Sequence, residues 1–209
     1  MRCLEPQRDH RRPPSWILAS GSPRRVELLR AAGQRFEAEA SHADEARRSG
    51  EGALHFAARV AEEKAREVAA RRPGRWVLGA DTVVIVDGEA LGKPRDGADA
   101  IAMLARLSDR AHEVATAFVL LDPRGATLAL RVVRSKVVFR RLGAQEIAAY
   151  VATGEPLDKA GAYAIQGGAA PFVVSRRGSL SNVIGLPMDE VEEALRRAGL
   201  WTAETPDRR

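Results

Sequence analysis

The amino-acid sequence predicts an α/β fold in which a mixed β-sheet is flanked by helices. The chain has 209 residues, of which 45% are hydrophobic and 29% charged, a composition that suits one globular domain with a continuous core. Some segments repeat apolar residues at helical spacing, whereas others are β-branched runs bounded by turn residues. The two kinds of segment do not alternate strictly, which favours a mixed sheet over a doubly wound parallel one.

The predicted elements follow from these patterns in chain order. A short strand at 16–20 leads through a Gly-Ser-Pro turn into a helix that ends near Gly33. Then come a helix at 54–72, a strand at 76–86 that turns at Asp87-Gly88 into residues 90–91, a helix at 99–107, strands at 113–121 and 127–139, and helices at 144–152 and 189–198. A Gly-rich segment of short strands is predicted within 160–185.

Both ends of the chain are predicted to lie outside the domain, which spans residues 16–200. Residues 1–15 are rich in Arg and Pro and are expected to form a disordered extension, and residues 201–209 a C-terminal tail. No segment approaches the roughly 20 apolar residues that cross a bilayer, and the N-terminus lacks the apolar core of a secretion signal. We therefore expect a cytoplasmic protein. Cys3 is the only cysteine, which excludes a disulfide within the chain.

The distribution of charge argues against a nucleic-acid partner. The net charge is +5, but the first fifteen residues contribute +2 and the last three +1, which leaves +2 for everything between. Only four of the 33 basic residues are lysines, namely Lys64, Lys93, Lys136 and Lys159. Because an ammonium is a compact charge that fits beside a crowded phosphate, each lysine is a candidate site residue.

The turn at residues 19–25 is a candidate phosphate-binding site, because it presents hydroxyl groups and two arginines at the start of a helix. An ordinary N-cap at Ser22 with Pro23 in the first helical position accounts for part of the motif. It does not account for Arg24 and Arg25, since cations oppose the positive end of the helix dipole. An anionic ligand would resolve that conflict. The two commonest phosphate-loop motifs, GxGxxG and GxxxxGK[ST], do not occur.

Further candidates lie in three other segments. Asp81 follows an apolar run, where a carboxylate binds a cation, acts as a base, or is simply a turn residue at a strand boundary. Lys93 lies in a Gly-Lys-Pro turn, and Lys159 and Gln166 lie in a Gly-rich segment that allows close approach of backbone to a ligand. Each of these could by itself be a loop with solvated charges. On its helix, Lys64 is most simply half of a surface ion pair.

Taken together, in order and spacing, these segments resemble the Maf family. The matching segments are LASGSPRRVELL at 18–29, EKA at 63–65, GADTVV at 79–84, LGKP at 91–94, GEPLDKAGAY at 154–163, IQG at 165–167 and NVIGLP at 182–187. The resemblance covers residues 16 to about 200.

This resemblance implies an elongated mixed sheet with two lobes around a cleft, similar to the inosine triphosphate pyrophosphatase fold, and usually a homodimer. It implies hydrolysis of a nucleoside triphosphate to the monophosphate and pyrophosphate, with Mg²⁺ or Mn²⁺ assisting the attack of water on the α-phosphorus. Asp81 matches the family's proton acceptor and is the expected metal-binding carboxylate. The residues that match its phosphate-binding set are Ser20, Arg24, Arg25, Lys64, Lys93 and Lys159.

Three positions resemble the branch of the family that acts on dTTP, UTP and related pyrimidines. The branch acting on 7-methylguanosine triphosphate typically has an aromatic or other residue in place of Arg24, Gln in place of Thr82 and Glu in place of Gln166. The amide of Gln166 both donates and accepts, as a uracil or thymine edge requires, whereas a carboxylate suits guanine. Two alternatives stay open, a 7-methylguanosine-triphosphate pyrophosphatase of the same family and a nucleotide-binding regulator of cell division.

Overall fold

The computed structural model describes residues 16–202. The strands are β1 (Trp16–Ala19), β2 (Glu37–Glu39), β3 (Trp76–Val86), β4 (Glu89–Leu91), β5 (Ala111–Leu121), β6 (Thr127–Phe139) and β7 (Val173–Arg177). The α-helices are α1 (Pro23–Ala31), α2 (Ala53–Arg71), α3 (Gly97–Leu107), α4 (Ala144–Ala152), α5 (Leu180–Ile184) and α6 (Met188–Arg197). The long elements predicted from the sequence are confirmed to within two residues at each end.

The strands form one mixed sheet in the order β2-β1-β3-β5-β6-β7, with β4 beside the C-terminal end of β3. β1 runs parallel to β2 and β3, and all the other pairings are antiparallel. Asp87 and Gly88 join β3 to β4 with positive φ at both residues, as a tight hairpin turn requires. The predicted mixed sheet flanked by helices is therefore confirmed.

The Gly-rich segment at 160–185 is the main error of the sequence prediction. It holds one strand, β7, the short helix α5 and two 3₁₀ turns at Ala160–Ala162 and Ala170–Phe172, and a third 3₁₀ turn at Glu155–Asp158 precedes it. Two of these turns have proline in their first positions. The fixed φ of proline suits the start of a helix, and the N–H that proline lacks would have no partner within the helix there. Proline and glycine therefore mark turns here. The sequence also gave no sign of β2, whose three residues are too few for a pattern.

Apolar side chains pack in three clusters around the sheet. α2 covers one face, where it packs on Val77 and Val83 of β3, and α1 and α6 cover the other face at Leu78 and Ala80. The third cluster lies at the other end of the long strands, where α3, α4 and the 3₁₀ turns pack around Val84 and its neighbours. The first two clusters, on opposite faces of the sheet, form one packed body, and the third cluster forms a second. The long strands β3, β5 and β6 run through both bodies.

The two ends of the chain are only partly described. Trp201 packs against the cluster beneath α6, and the amide of Thr202 donates to the Gln34 side chain at 3.3 Å, so the packed body continues past the predicted boundary at residue 200. The predicted extension at residues 1–15, with Cys3, and residues 203–209 lie outside the described part of the chain. Within that part, no helix is long and apolar enough to cross a membrane.

Gly79 brings α2 against β3 at closer range than any other residue would allow. A Cβ at this position would lie 2.3 Å from the carbonyl oxygen of Ala61 and 2.8 Å from the Cβ of Ala65. Both neighbours belong to α2, and the atom in the way at 2.3 Å is backbone, which cannot rotate aside. The distance between helix and strand therefore depends on this glycine.

We expect Gly79→Ala to lower the free energy of unfolding by about 1–3 kcal/mol, the usual cost of an extra methyl group in a packed core. Gly92→Ala is the matched control, because nothing lies within 4 Å of the added methyl group and its φ is outside the left-handed region. Urea unfolding followed by circular dichroism measures both variants. Equal stability of the two would mean that α2 can shift freely away from β3.

Candidate active site

A gap beside β3 creates the site. On the side of β3 away from β5, β1 pairs with residues 76–79 and β4 pairs with residues 84–86. The residues between, 80–83, therefore have no strand beside them on that side. Because side chains alternate along a strand, Asp81 points toward α2 and Thr82 toward the opposite face. Both reach the same opening, where the two packed bodies meet.

A cleft of about 720 Å³ lies at this gap. Every candidate residue from the sequence lines it, namely Ser20, Arg24, Arg25, Lys64, Asp81, Thr82, Lys93, Lys159 and Gln166. These residues come from six separate segments of the chain, and the fold brings all of them to one place.

Arg25 is buried and holds three segments of the site together. Its Nε donates to the carbonyl oxygen of Gly185 at 2.7 Å, and its two Nη atoms donate to the hydroxyls of Ser20 and Thr82, each at 3.1 Å. Burial lowers the pKa of Arg25, and the charges of Asp81 and Glu45 act in the opposite direction. A guanidinium nonetheless stays protonated at neutral pH. Arg25 is therefore largely committed to contacts within the protein.

Arg24 is in a different position from its neighbour. Its side chain is 32% exposed and lies 3.8 Å from the carboxylate of Asp158 across the cleft. Ser22 occupies the N-cap position of α1 as predicted, but its side chain makes no capping hydrogen bond. The first turn of α1 is thus not closed by a side chain, and Arg24 stands beside it as the cation available to a ligand.

Lys64 and Asp81 form a buried ion pair in the floor of the cleft. The Nζ of Lys64 lies 2.8 Å from Oδ1 of Asp81 and 2.9 Å from Oε1 of Glu45. Only 10% of the Lys64 side chain and 11% of the Asp81 side chain are exposed. The interpretation of Lys64 as half of a surface pair with Glu63 is therefore wrong. The near approach of α2 to β3 at Gly79 turns this lysine inward.

Glu45 is a site residue that the sequence did not reveal. It lies in the segment between β2 and α2, which has no helix or strand, and its second oxygen is 3.4 Å from Nζ of Lys93. Burial raises the pKa of Glu45, but the hydrogen bond and charge of Lys64 and the charge of Lys93 outweigh it, so the pKa is below its ordinary value. The only sequence signal was the length of the loop, since long loops inside a compact domain are often functional.

The carboxylates fit only one kind of metal site. Among residues 16–202, no group of three or more His, Cys, Asp or Glu side chains could enclose an ion. Mg²⁺ is commonly held by one or two carboxylates together with substrate phosphates and water. Asp81 and Glu45, which share Lys64, match that arrangement and do not match a cage made by protein ligands alone.

A wall of the cleft is formed by the segment at residues 158–166, which carries Lys159 and Gln166. The Nζ of Lys159 donates to the carbonyl oxygen of Glu155 at 2.6 Å and to Asp158 at 2.5 Å, and Gln166 is exposed at the opening. The amide of Gly161 donates to the carbonyl oxygen of Gly92 at 2.9 Å. This bond joins the wall to the turn that bears Lys93.

Tyr163 fixes this wall to the sheet. Its hydroxyl lies 2.8 Å from Nε2 of His112, a residue of β5 that is 3% exposed. Both rings also pack edge-to-face against Phe139. Burial lowers the pKa of His112 to about 4, so the imidazole is neutral at neutral pH. The pair thereby anchors the segment between Lys159 and Gln166.

Comparison with known proteins gives a consistent result. The family model described as Maf-like protein matches residues 15–198. The dTTP/UTP pyrophosphatase of Geobacter sulfurreducens is 53% identical over 183 residues, which cover 88% of this chain and 96% of the relative. The protein of the same name from Geobacter metallireducens is 52% identical over 88% of this chain and 95% of the relative. The one from Myxococcus xanthus is 51% identical over 90% and 95%.

Among solved structures, the nucleoside-triphosphatase / dITP/XTP pyrophosphatase of Mycobacterium abscessus aligns with 88% of this chain and 92% of its own. The sequence identity is 21% and the TM-score is 0.43, values that describe a remote likeness.

The buried His112 predicts a specific dependence of stability on pH. Its pKa is about 6.5 in the unfolded chain and about 4 in the folded protein, so the unfolded state binds the proton more tightly. The stabilising contribution is complete above pH 6.5 and is lost as the pH falls toward 4. Between pH 7 and pH 5, we expect the free energy of unfolding to fall by about 2 kcal/mol from this residue alone.

Urea unfolding at pH 7 and at pH 5 measures this loss, with His112→Gln as the comparison because glutamine does not titrate. The wild type should lose more stability than the variant over this interval. The same loss in both proteins would show that His112 titrates normally in the fold.

Proposed function

This chain belongs to the family of Maf-like proteins, and on that basis we propose that it is a pyrophosphatase that hydrolyses dTTP and UTP to the nucleoside monophosphate and pyrophosphate. The observation that carries the proposal is the buried pair of Asp81 and Lys64 on the floor of a cleft that all the candidate residues line. A site that only binds a nucleotide does not need a carboxylate among its cations.

The cations of the cleft suit a triphosphate. A triphosphate near neutral pH carries up to about four negative charges, and hydrolysis depends mostly on positioning it and neutralising that charge. We assign phosphate binding to Ser20, Arg24, Lys64, Lys93 and Lys159. Arg25 is assigned to holding these residues in place, because its donors already bind Ser20, Thr82 and the backbone at Gly185.

Asp81 is assigned as the group that accepts a proton from water. A bond forms between the water oxygen and the α-phosphorus, and the bond between that phosphorus and the bridging oxygen to the β-phosphate breaks. Pyrophosphate then leaves, and the proton of the water passes to the carboxylate of Asp81. The hydrogen bond from Lys64 to Oδ1 fixes the orientation of that carboxylate.

We propose a divalent cation, Mg²⁺ or Mn²⁺, as the cofactor, held by Asp81 with Glu45 beside it. A cation held there would neutralise part of the negative charge of the phosphates. The homodimer and the cytoplasmic location are further proposals that rest on the sequence analysis.

Base recognition is assigned to the wall that carries Gln166. Its amide can meet both donor and acceptor groups of a uracil or thymine edge. Thr82 contributes differently, because its hydroxyl contacts Arg25 at 3.1 Å and Thr116 at 2.9 Å. We therefore assign Thr82 to holding Arg25 in place rather than to contact with the base.

Asp81→Asn tests the catalytic assignment. The variant should fold and bind nucleotide, but its turnover should fall by about a hundredfold or more, because an amide cannot accept the proton. Pyrophosphate release from UTP and dTTP gives the rate, and fluorescence of a labelled nucleotide gives binding. Turnover close to that of the wild type would remove Asp81 from the mechanism.

The choice of base is tested by exchanging three residues together, in the variant Arg24→Trp, Thr82→Gln, Gln166→Glu. Its kcat/KM for UTP and dTTP should fall, and its kcat/KM for 7-methylguanosine triphosphate should rise, since a carboxylate accepts from guanine donors. Gln166→Glu alone should lower the pyrimidine value by about ten- to a hundredfold, the scale of one or two unpaired hydrogen-bonding groups.

The wild type is the control for that exchange and should prefer UTP or dTTP to the methylated purine nucleotide. A wild type that prefers 7-methylguanosine triphosphate would overturn the pyrimidine assignment and leave the pyrophosphatase assignment intact.

A further inference from the structure

The loop at residues 40–52 reaches the cleft without any helix or strand of its own. Four of its residues line the cleft, namely Ala40, Ser41, Glu45 and Arg47. Backbone of this kind stays in one conformation only when side chains from elsewhere hold it. The structure shows that side chains of α2 do so.

Arg59, on the second turn of α2, binds the loop through its Nε and Nη2. Its Nε and Nη2 donate to the two oxygens of Glu51 at 2.6 and 2.8 Å, a bidentate pair in which the Glu51 side chain is 4% exposed. Nη2 also donates to the carbonyl oxygen of Ala46 at 3.0 Å. Nη1 donates to Glu63 of the same helix at 2.7 Å, which fixes the guanidinium plane.

Glu51 extends this contact along the loop. One of its oxygens accepts from the amide of Arg48 at 3.2 Å, and its carbonyl oxygen accepts from Nε and Nη2 of Arg47 at 2.9 and 2.7 Å. The hydrogen bonds from Arg59 lower the pKa of Glu51 to about 2, against the effect of burial, so the carboxylate is ionised at every physiological pH. The guanidinium groups of Arg47 and Arg59 thus both bind Glu51 and hold this part of the loop together.

Side chains of α2 hold the loop at several points, among them the amide of His42 and the carbonyl oxygen of Ala40. Two of the contacts bear on Glu45. Arg59 holds Glu51, and Lys64, five residues further along the helix, holds the carboxylate of Glu45 at 2.9 Å. The second contact lies within the proposed site, whereas the first lies outside it. The contact outside the site also binds the carbonyl oxygen of Ala46, the residue that follows Glu45, and so fixes the backbone directly beside that carboxylate.

We propose that Arg59, through its bidentate contact with Glu51, is a positioning residue that places Glu45 in the active site. This inference rests on the proposed function, because it assigns Arg59 a role in the same hydrolysis. A misplacement of about 1 Å at a reacting group can lower the rate by about a hundredfold. We therefore expect loss of the contact to lower activity, in addition to the stability that is lost when the buried Glu51 has no partner.

A double-mutant cycle separates positioning from support of the fold. Arg59→Gln should lower kcat/KM for UTP by about ten- to a hundredfold. In the Glu45→Gln background the same change should cost less than about twofold, because the group that Arg59 positions is already gone. Glu51→Gln keeps the shape of the side chain and should repeat the effect of Arg59→Gln. Arg59→Lys should restore little of the lost activity, because one ammonium cannot make the bidentate contact.

The matched control is Glu62→Gln. Glu62 accepts from Nε and Nη2 of Arg66 on the same helix at 2.8 and 2.6 Å, but this exposed pair does not contact the loop. Its kcat/KM should equal that of the wild type. Hydrogen exchange supplies a readout without substrate, since the Arg48 amide should exchange faster in Arg59→Gln while the α2 amides keep their protection.

Equal losses from Arg59→Gln in both backgrounds would overturn the positioning role, as would faster exchange at Arg48 with unchanged kcat/KM. Loss of protection throughout α2 would also overturn it, because the arginine would then support the helix itself. A wild type that releases no pyrophosphate from UTP or dTTP would overturn the proposed function, a result separate from any outcome of the cycle.

Discussion

The ammonium of Lys64 between the carboxylates of Asp81 and Glu45 is the contact on which the rest of the site depends. Removing charges from water is costly unless each meets a partner, and a buried lysine with two carboxylates meets that condition. The pair exists because Gly79 lets α2 lie against β3, so that a lysine on the helix reaches a carboxylate on the strand. Core packing and the chemistry of the cleft are thus set by the same close approach.

Arg25 has a corresponding role on the other face of the sheet. Its hydrogen bonds join the turn after β1, the middle of β3 and the end of α5, three segments far apart in sequence. A chain of hydrogen bonds continues on the same face of the sheet, from the hydroxyl of Thr82 to that of Thr116 and on to the carbonyl oxygen of Asn182 in α5. Buried polar groups that are satisfied in this way favour one arrangement of the backbone over others. The cleft therefore has walls that are fixed before any ligand arrives.

The sequence predicted those parts of the fold and site that are local. Short motifs identified Ser20, Arg24 and Asp81 as candidates, and periodicity predicted the long helices and strands. The alternative interpretation of Asp81 as a turn residue at a strand boundary is wrong, because Asp81 is buried in the middle of β3. The sequence did not reveal Glu45, because nothing within the loop of Glu45 shows that Lys64 and Lys93 lie beside this residue. It grouped Arg24 with Arg25, although neighbours on a helix point about 100° apart and only one of them is buried. Contacts between distant segments decide such cases, and a single sequence does not contain them in readable form.

The distribution of charge over the described body argues for a small anionic substrate over a nucleic acid. Residues 16–202 carry a net charge of +3. The cleft is lined by six basic side chains, those of Arg24, Arg25, Arg47, Lys64, Lys93 and Lys159, and by three acidic ones, those of Glu45, Asp81 and Asp158. The lining therefore accounts for the whole net charge of the described body, and the remaining residues balance. A concave site with low-dielectric walls concentrates that potential, whereas a nucleic-acid surface needs a basic stripe along an exposed face.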